Sequence, residues 1–143
     1  MTQEEKQLDF SVIRESWSEY KLANNTTVKV KASISAIIDT GKKKGKLKEV
    51  KIGFQNQFFK QSSPDDKGEP SENTKISEED IVEELEFEKI REPLNIYDVP
   101  EDFILLIRTS LTELKKTRKF NSKGSRIYHY GIDCPVSIVQ YPE

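Results

Sequence analysis

Residues 8–15 read LDFSVIRE, and residues 85–92 read LEFEKIRE. The two stretches stand 77 residues apart, and the correspondence continues without a gap. Trp17 meets Leu94, Tyr20 meets Tyr97 and Leu22 meets Val99; further on, Val28, Val30, Ile34 and Ile37 meet Leu105, Ile107, Leu111 and Leu114. Leu8, Phe10, Ile13, Arg14, Glu15, Tyr20, Ser33 and Thr40 are identical to their counterparts. Random pairing at ordinary composition would give roughly two identities over such a span. After a two-residue slip, Lys44-Gly45 matches Lys123-Gly124 and Gln61 matches Gln140. The chain therefore reads as one domain, 1–143, built of two tandem copies, 1–61 and 78–143. The piece between them, 62–77, reads SSPDDKGEPSENTKIS; its prolines, glycine and small polar residues predict a flexible linker.

The repeat also settles an ambiguity between helix and strand. Lys29–Ile37 mostly alternates polar and apolar residues after the turn chemistry of Asn24-Asn25, as a half-buried strand would. Its counterpart, 103–114, taken alone has a helical face of Phe103, Ile107, Leu111 and Leu114 behind Pro100. Copies of one unit share a fold, so 103–114 is expected as a strand. Only a short helical turn is expected near 78–84, where Ser77 precedes three acidic residues. Sixty residues bury too little surface to be comfortably stable alone. The expected fold is thus mainly β: a pseudo-two-fold barrel or sandwich of six to eight strands with one shared core. That core is expected to hold Phe10, Ile13, Trp17, Val30, Ile34 and Ile37 with Phe87, Ile90, Leu94, Ile107, Leu111 and Leu114.

Composition agrees with a folded β-protein and narrows its function. Of 143 residues, 34% are hydrophobic and 34% charged. Ile and Val together outnumber Leu 22 to 9, which favours strands. No apolar run approaches the ~20 residues of a membrane-spanning helix, so no membrane contact is expected. One cysteine and one histidine argue against a structural zinc site and an internal disulfide, and with no secretory leader in the opening residues a cytoplasmic location is expected. A net charge of −2 argues against a dedicated nucleic-acid binder.

The stretch ESWSEYKLANNTTVKVKASISAI resembles the opening of an uncharacterised group of short prokaryotic, largely archaeal, β-proteins. Trp17, Tyr20, Leu22, Thr27, Val28, Val30 and Lys31 carry the pattern: Trp-x-x-Tyr-x-Leu, a polar turn, Thr, then an alternating strand. The second copy keeps Tyr97 but has Leu94 for the Trp and Pro100 where the turn begins. The resemblance covers about a third of the chain. It implies a small β-fold and transfers no catalytic residue.

Three features carry candidate chemistry. Lys42, Lys43 and Lys44 follow Thr40, and Lys115, Lys116, Arg118 and Lys119 surround the equivalent Thr117. Two basic loops, 42–48 and 115–126, at related corners could contact phosphates, with Tyr128, Tyr130 and Phe120 available for stacking. Solvated loops that discourage edge pairing are the plainer reading. Tyr20 and Tyr97 are expected beside them on a binding surface. His129 and Cys134, close in HYGIDCP, would form a nucleophile–base pair only if they met; a structural role fits the lone pair better. Arg14-Glu15 and Arg91-Glu92 recur in both copies and could pair crosswise, Arg14 with Glu92 and Arg91 with Glu15. No phosphate-binding glycine loop, zinc spacing or serine elbow is present. The expected function is a non-catalytic β-domain that binds a protein partner or assembles, with no cofactor, no metal and no catalytic residue. The alternatives are a nucleic-acid-associated module using the two basic loops, and an enzyme using His129 and Cys134.

Overall fold

A computed structural model describes residues 4–45 and 47–141. The described chain is mainly β. Its strands are β1 (Lys6–Leu8), β2 (Ser11–Arg14), β3 (Ser18–Leu22), β4 (Thr27–Lys44), β5 (Leu47–Lys60), β6 (Ile81–Glu84), β7 (Phe87–Arg91), β8 (Leu94–Val99), β9 (Phe103–Arg108), β10 (Ser110–Phe120), β11 (Arg126–Asp133) and β12 (Val136–Gln140). Short 3₁₀ turns occupy Pro64–Asp66 and Glu78–Asp80. Residues 103–108 and 110–120 are strands, so tertiary pairing overrides the helical spacing of their apolar residues.

The strands form three antiparallel sheets, none of them closed. One has the order β1-β4-β3-β7 with β5 along the other edge of β4; the others run β11-β10-β6 and β12-β9-β8-β2. Twelve strands replace the six to eight expected, partly because the stretch facing β4 in the repeat is broken at Thr109 and the stretch facing β5 is broken at Cys134-Pro135.

Registers recur at the spacing of the sequence match. Gln7 opposes Ile38, and Glu84 opposes Lys115. Tyr20 opposes Val28, and Tyr97 opposes Leu105. Bulges fall between Ile34 and Ala36 and between Leu111 and Glu113, opposite Gly53 and Gly131 respectively. A Cβ on Gly53 would lie 2.8 Å from Ser35 Oγ, and one on Gly131 would lie 2.7 Å from Thr112 Oγ1. Glycine is thus required where each bulge pushes a hydroxyl against the neighbouring strand. The short strands are exchanged: β2 lies on β8, with Val12 opposite Tyr97, while β7 lies on β3, with Lys89 opposite Tyr20.

Exchange leaves two cores rather than one. The first gathers Leu8, Ile34 and Ile37 with Tyr97, Val99, Phe103, Leu105 and Ile107. The second gathers Tyr20, Leu22, Val28 and Val30 with Leu111 and Leu114. β4 serves both because its 18 residues run past one core and on to the other, and the bulge after Ile34 returns Ile37 to the face that Ile34 shares with Val28 and Val30. Val28 and Val30 point into the second core, whereas Ile34 and Ile37, on either side of the bulge, point into the first.

Four core expectations need correction in degree and two in kind. Phe10, Phe87, Trp17 and Leu94 are half-buried. Phe10 packs edge-on against Tyr97 and Phe87 edge-on against Tyr20, while Lys31 Nζ lies 5.0 Å from the Trp17 ring centroid. Ile13 and Ile90 are 58% and 52% exposed. Both stand on short edge strands, β2 and β7, with solvent on their outer face.

The stretch 62–77 is mostly exposed, yet it is tied to the second half. Lys67 bridges Ser125, Gly68 N–H donates to Gly124 O at 3.0 Å, and Ser71 N–H donates to Phe120 O at 3.0 Å. Gly68 sits so close to the Phe120 ring that a Cβ there would come within 2.6 Å of it. Asp66, within this segment, is buried.

Candidate functional site

The two basic runs begin at matching bulges. Thr40 and Thr117 are both buried, and each hydroxyl donates to the adjacent strand: Thr117 Oγ1 to Ile127 O at 2.6 Å, and Thr40 Oγ1 to Glu49, whose Oε2 lies at 2.7 Å and backbone O at 3.2 Å. Each also accepts from a backbone N–H two residues on, Lys42 at 3.4 Å and Lys119 at 3.2 Å. Side-chain-to-backbone bonds of this kind hold the chain in the irregular turn.

Beyond the bulges the runs diverge. In the second run, Lys115 Nζ lies 3.7 Å from Glu113, Lys116 pairs with Asp65, Arg118 Nε donates to Asp80 at 2.8 Å, and Lys119 Nζ lies 3.5 Å from Asp80. Lys119 also donates to Lys75 O at 2.6 Å. Asp80 is buried, and its carboxyl is held below its ordinary value by the Ser77 N–H and then by Arg118. Asp65 is likewise lowered, chiefly by Lys116. In the first run Lys42 and Lys43 are exposed, with no carboxylate partner among the described residues. The Lys44 side chain and Lys46 lie outside the described residues.

Tyr20 and Tyr97 are not on a surface: they are 1% and 0% exposed. Tyr20 OH donates to Glu92 Oε2 at 2.5 Å and accepts from Leu111 N–H at 2.9 Å; Tyr97 OH donates to Glu15 Oε2 at 2.6 Å. Burial first, and then the carboxylate beside each hydroxyl, raise both phenols well above their ordinary range. The recurring glutamates do cross between the halves, but to tyrosines rather than to arginines. Arg91 Nε lies 3.3 Å from Glu19, while Arg14 is exposed with no carboxylate partner among the described residues.

A buried polar cluster absent from the sequence expectations joins the linker to both halves. Asp66 accepts from Lys60 Nζ at 2.6 Å, Ser63 N–H at 3.0 Å, Ser63 Oγ at 2.9 Å, and the Tyr128 hydroxyl. Burial alone would raise its carboxyl, but these donors overcome that and hold it at about 2. The only sequence signal is the Ser-Pro-Asp-Asp turn of 63–66, whose capping geometry aims Asp66 inward. Beside the cluster, a cleft of about 400 Å³ is lined by Lys60, Lys116, Asp65, Glu83, Glu84 and Glu86 among others. Both lysines are already paired, so the rim is net acidic.

His129 and Cys134 have separate partners. His129 Nε2 lies 3.2 Å from Glu113 Oε1 on the surface. Cys134 packs against the first core, and burial raises its thiol. Among the described residues no group of three or more His, Cys, Asp or Glu could hold a metal, and no helix is long and apolar enough to cross a membrane. No protein-family model matches the chain, and comparison with curated proteins and with solved structures gives no match.

Proposed function

We propose that this chain is a non-catalytic binding or assembly module that works through protein contacts on open strand edges. The observation that carries the reading is where the exposed apolar side chains lie. Val12 and Ile13 stand on β2, Phe54 and Phe59 on β5, Val82 on β6, Ile90 on β7, and Val136 and Val139 on β12. Each of these strands borders a sheet. Exposed apolar edges are a ready template for pairing with another chain.

The same reading takes the body as a duplicated, approximately two-fold, barrel-like unit. Recurring registers, twin glycine bulges, paired Tyr–Glu contacts and two cores drawn from both halves support it. It also places the chain with the short β-proteins that its Trp17–Tyr20–Leu22 pattern resembles. A single cysteine favours a reducing compartment, the cytoplasm.

The nucleic-acid alternative loses weight because the second basic run is occupied by Asp65, Asp80 and Glu113. The test is a titration of single-stranded and duplex oligonucleotides at two salt concentrations. It compares the native chain with one in which Lys42, Lys43, Lys44, Arg118 and Lys119 are replaced by Ser. The module reading expects only weak retention, lost steeply with salt. Saturable binding at ~150 mM salt, abolished by the substitutions, would overturn it.

A further inference from the structure

The two long outer strands differ in one respect that the repeat makes visible. β5 pairs with β4 alone, so its other edge has no strand neighbour among the described residues. Along that edge, Ile52-Gly53-Phe54-Gln55-Asn56-Gln57-Phe58-Phe59 contains no charge and no proline. The matching stretch of the second half, 130–137, contains Asp133 and Pro135 and is broken there into β11 and β12. Charges, prolines and breaks are the devices that prevent edge-to-edge pairing. One copy of the edge carries them and the other does not.

The uncharged run is also its own antiparallel complement. Phe54-Gln55-Asn56-Gln57-Phe58 reads the same in both directions. A second copy laid antiparallel across a two-fold axis at Asn56 would set Asn56 against Asn56, Gln55 against Gln57, and Phe54 against Phe58. Directly opposite residues share a face, so like side chains would meet on each side of the joined sheet. The flanks fit the same register. Lys51 would face Gln61, and Lys60, whose ammonium is bound to Asp66 at 2.6 Å, would face Ile52. No like charges would stand opposite each other.

Phe54 is 36% exposed, and Gln55 and Asn56 are also exposed. On the β4 side, Phe54 opposes Ile34, Asn56 opposes Ala32, and Phe58 opposes Val30, so this face borders the cores. Phe58 is already stacked on Tyr130 with ring centroids 4.4 Å apart and need not move.

We infer that the chain pairs with a second copy of itself through the free edge of β5, antiparallel about Asn56, to form one continuous sheet across a two-fold axis. The inference rests on the binding-module reading and names its partner. An interface of this kind is isologous, so one surface serves both sides.

Light scattering across a concentration series is the direct test. The native chain should move toward twice its 16.6 kDa mass as concentration rises. Asn56→Lys puts like charges face to face on the axis and should leave a monomer. Asn56→Asp should do the same, and an equimolar mixture of the two variants should recover the dimer mass. Amide exchange in the native chain should slow with increasing concentration at the alternate residues of 53–57 whose N–H faces away from β4, and at no other edge. A native chain that stays monomeric throughout, or variants that dimerise as the native chain does, would overturn the inference. A monomer with no salt-resistant oligonucleotide binding would remove the self-pairing while leaving the module reading standing. Salt-resistant oligonucleotide binding would remove the module reading whatever the mass.

Discussion

Asp66→Asn is the substitution whose outcome is most constrained by the structure. The carboxylate is 6% exposed and collects donors from Lys60, Ser63 and Tyr128. The Lys60 side chain is equally buried. Asparagine keeps the shape but removes the charge, leaving Lys60 without its buried partner. Breaking a buried pair from one side costs about 3–5 kcal/mol. Arg126 Nε, 3.8 Å from Asp66, loses a carboxylate as well.

The acid dependence gives an independent figure. The ordinary carboxyl value is 3.8, and Asp66 is held at about 2. At roughly 1.4 kcal/mol per pH unit, that difference contributes about 2 kcal/mol of stability. Because the folded value lies below the unfolded one, the contribution is complete above about pH 4 and is lost as pH falls through about 2. Urea unfolding of both chains at neutral pH, and then at steps down to about pH 2, measures the two quantities. Asp65 and Asp80 also carry lowered carboxyls, so the informative quantity is native minus variant, which isolates Asp66. The expected result is a large stability gap at neutral pH that narrows by about 2 kcal/mol in acid. A gap under about 0.5 kcal/mol at neutral pH, the range of ordinary surface changes, would refute the cluster's role. So would parallel acid profiles.

Three further outcomes follow from the same physics. Gly53→Ala and Gly131→Ala should each lose about 1–3 kcal/mol through overpacking, and Ser35→Ala should relieve the first but not the second, as denaturant melts of the double variants would show. Ile37→Ala and Leu114→Ala should each cost about 2–5 kcal/mol, whereas Ile13→Ala and Ile90→Ala should stay within about 0.5 kcal/mol; a reversal of that order would misplace both cores. Cys134 should react more slowly with a thiol reagent in the native chain than in urea, because its half-buried thiol resists ionisation; equal rates would place it at an accessible surface.

The offset of 77 made the strand phase legible, since it forced 103–114 to be compared with the better-marked strand at 29–37. It did not reveal which face of the short strands points inward. Ile13 and Ile90 match each other as well as Phe10 and Phe87 do, and a match carries no direction. Their exposure follows from the exchange of β2 and β7, a pairing between halves that periodicity within one half cannot show. Tyr20 and Tyr97 were readable as a pair, and so were Glu15 and Glu92 at constant spacing from them; what joins each tyrosine to the other half's glutamate is the exchange again. The neutralisation of the second basic run was hidden for a different reason. Asp65 and Asp80 come from short turns within and just after the linker, and solvent-like composition says nothing about where a turn docks.

The exchange of β2 and β7 has a consequence for how the chain reaches this state. Ser11 pairs with Asp98, and Phe87 with Leu22, so neither core can close from one half alone. While the first half emerges from the ribosome, Ile34 and Ile37 await Leu105 and Ile107, and Val28 and Val30 await Leu111 and Leu114. Contacts so distant along the chain make folding slow, because much loop entropy is lost before burial returns it. The nascent first half, with its uncharged β5 run uncovered, therefore spends its synthesis in the state most open to mispairing. Folding becomes a single late event, completed only after β10 has been made.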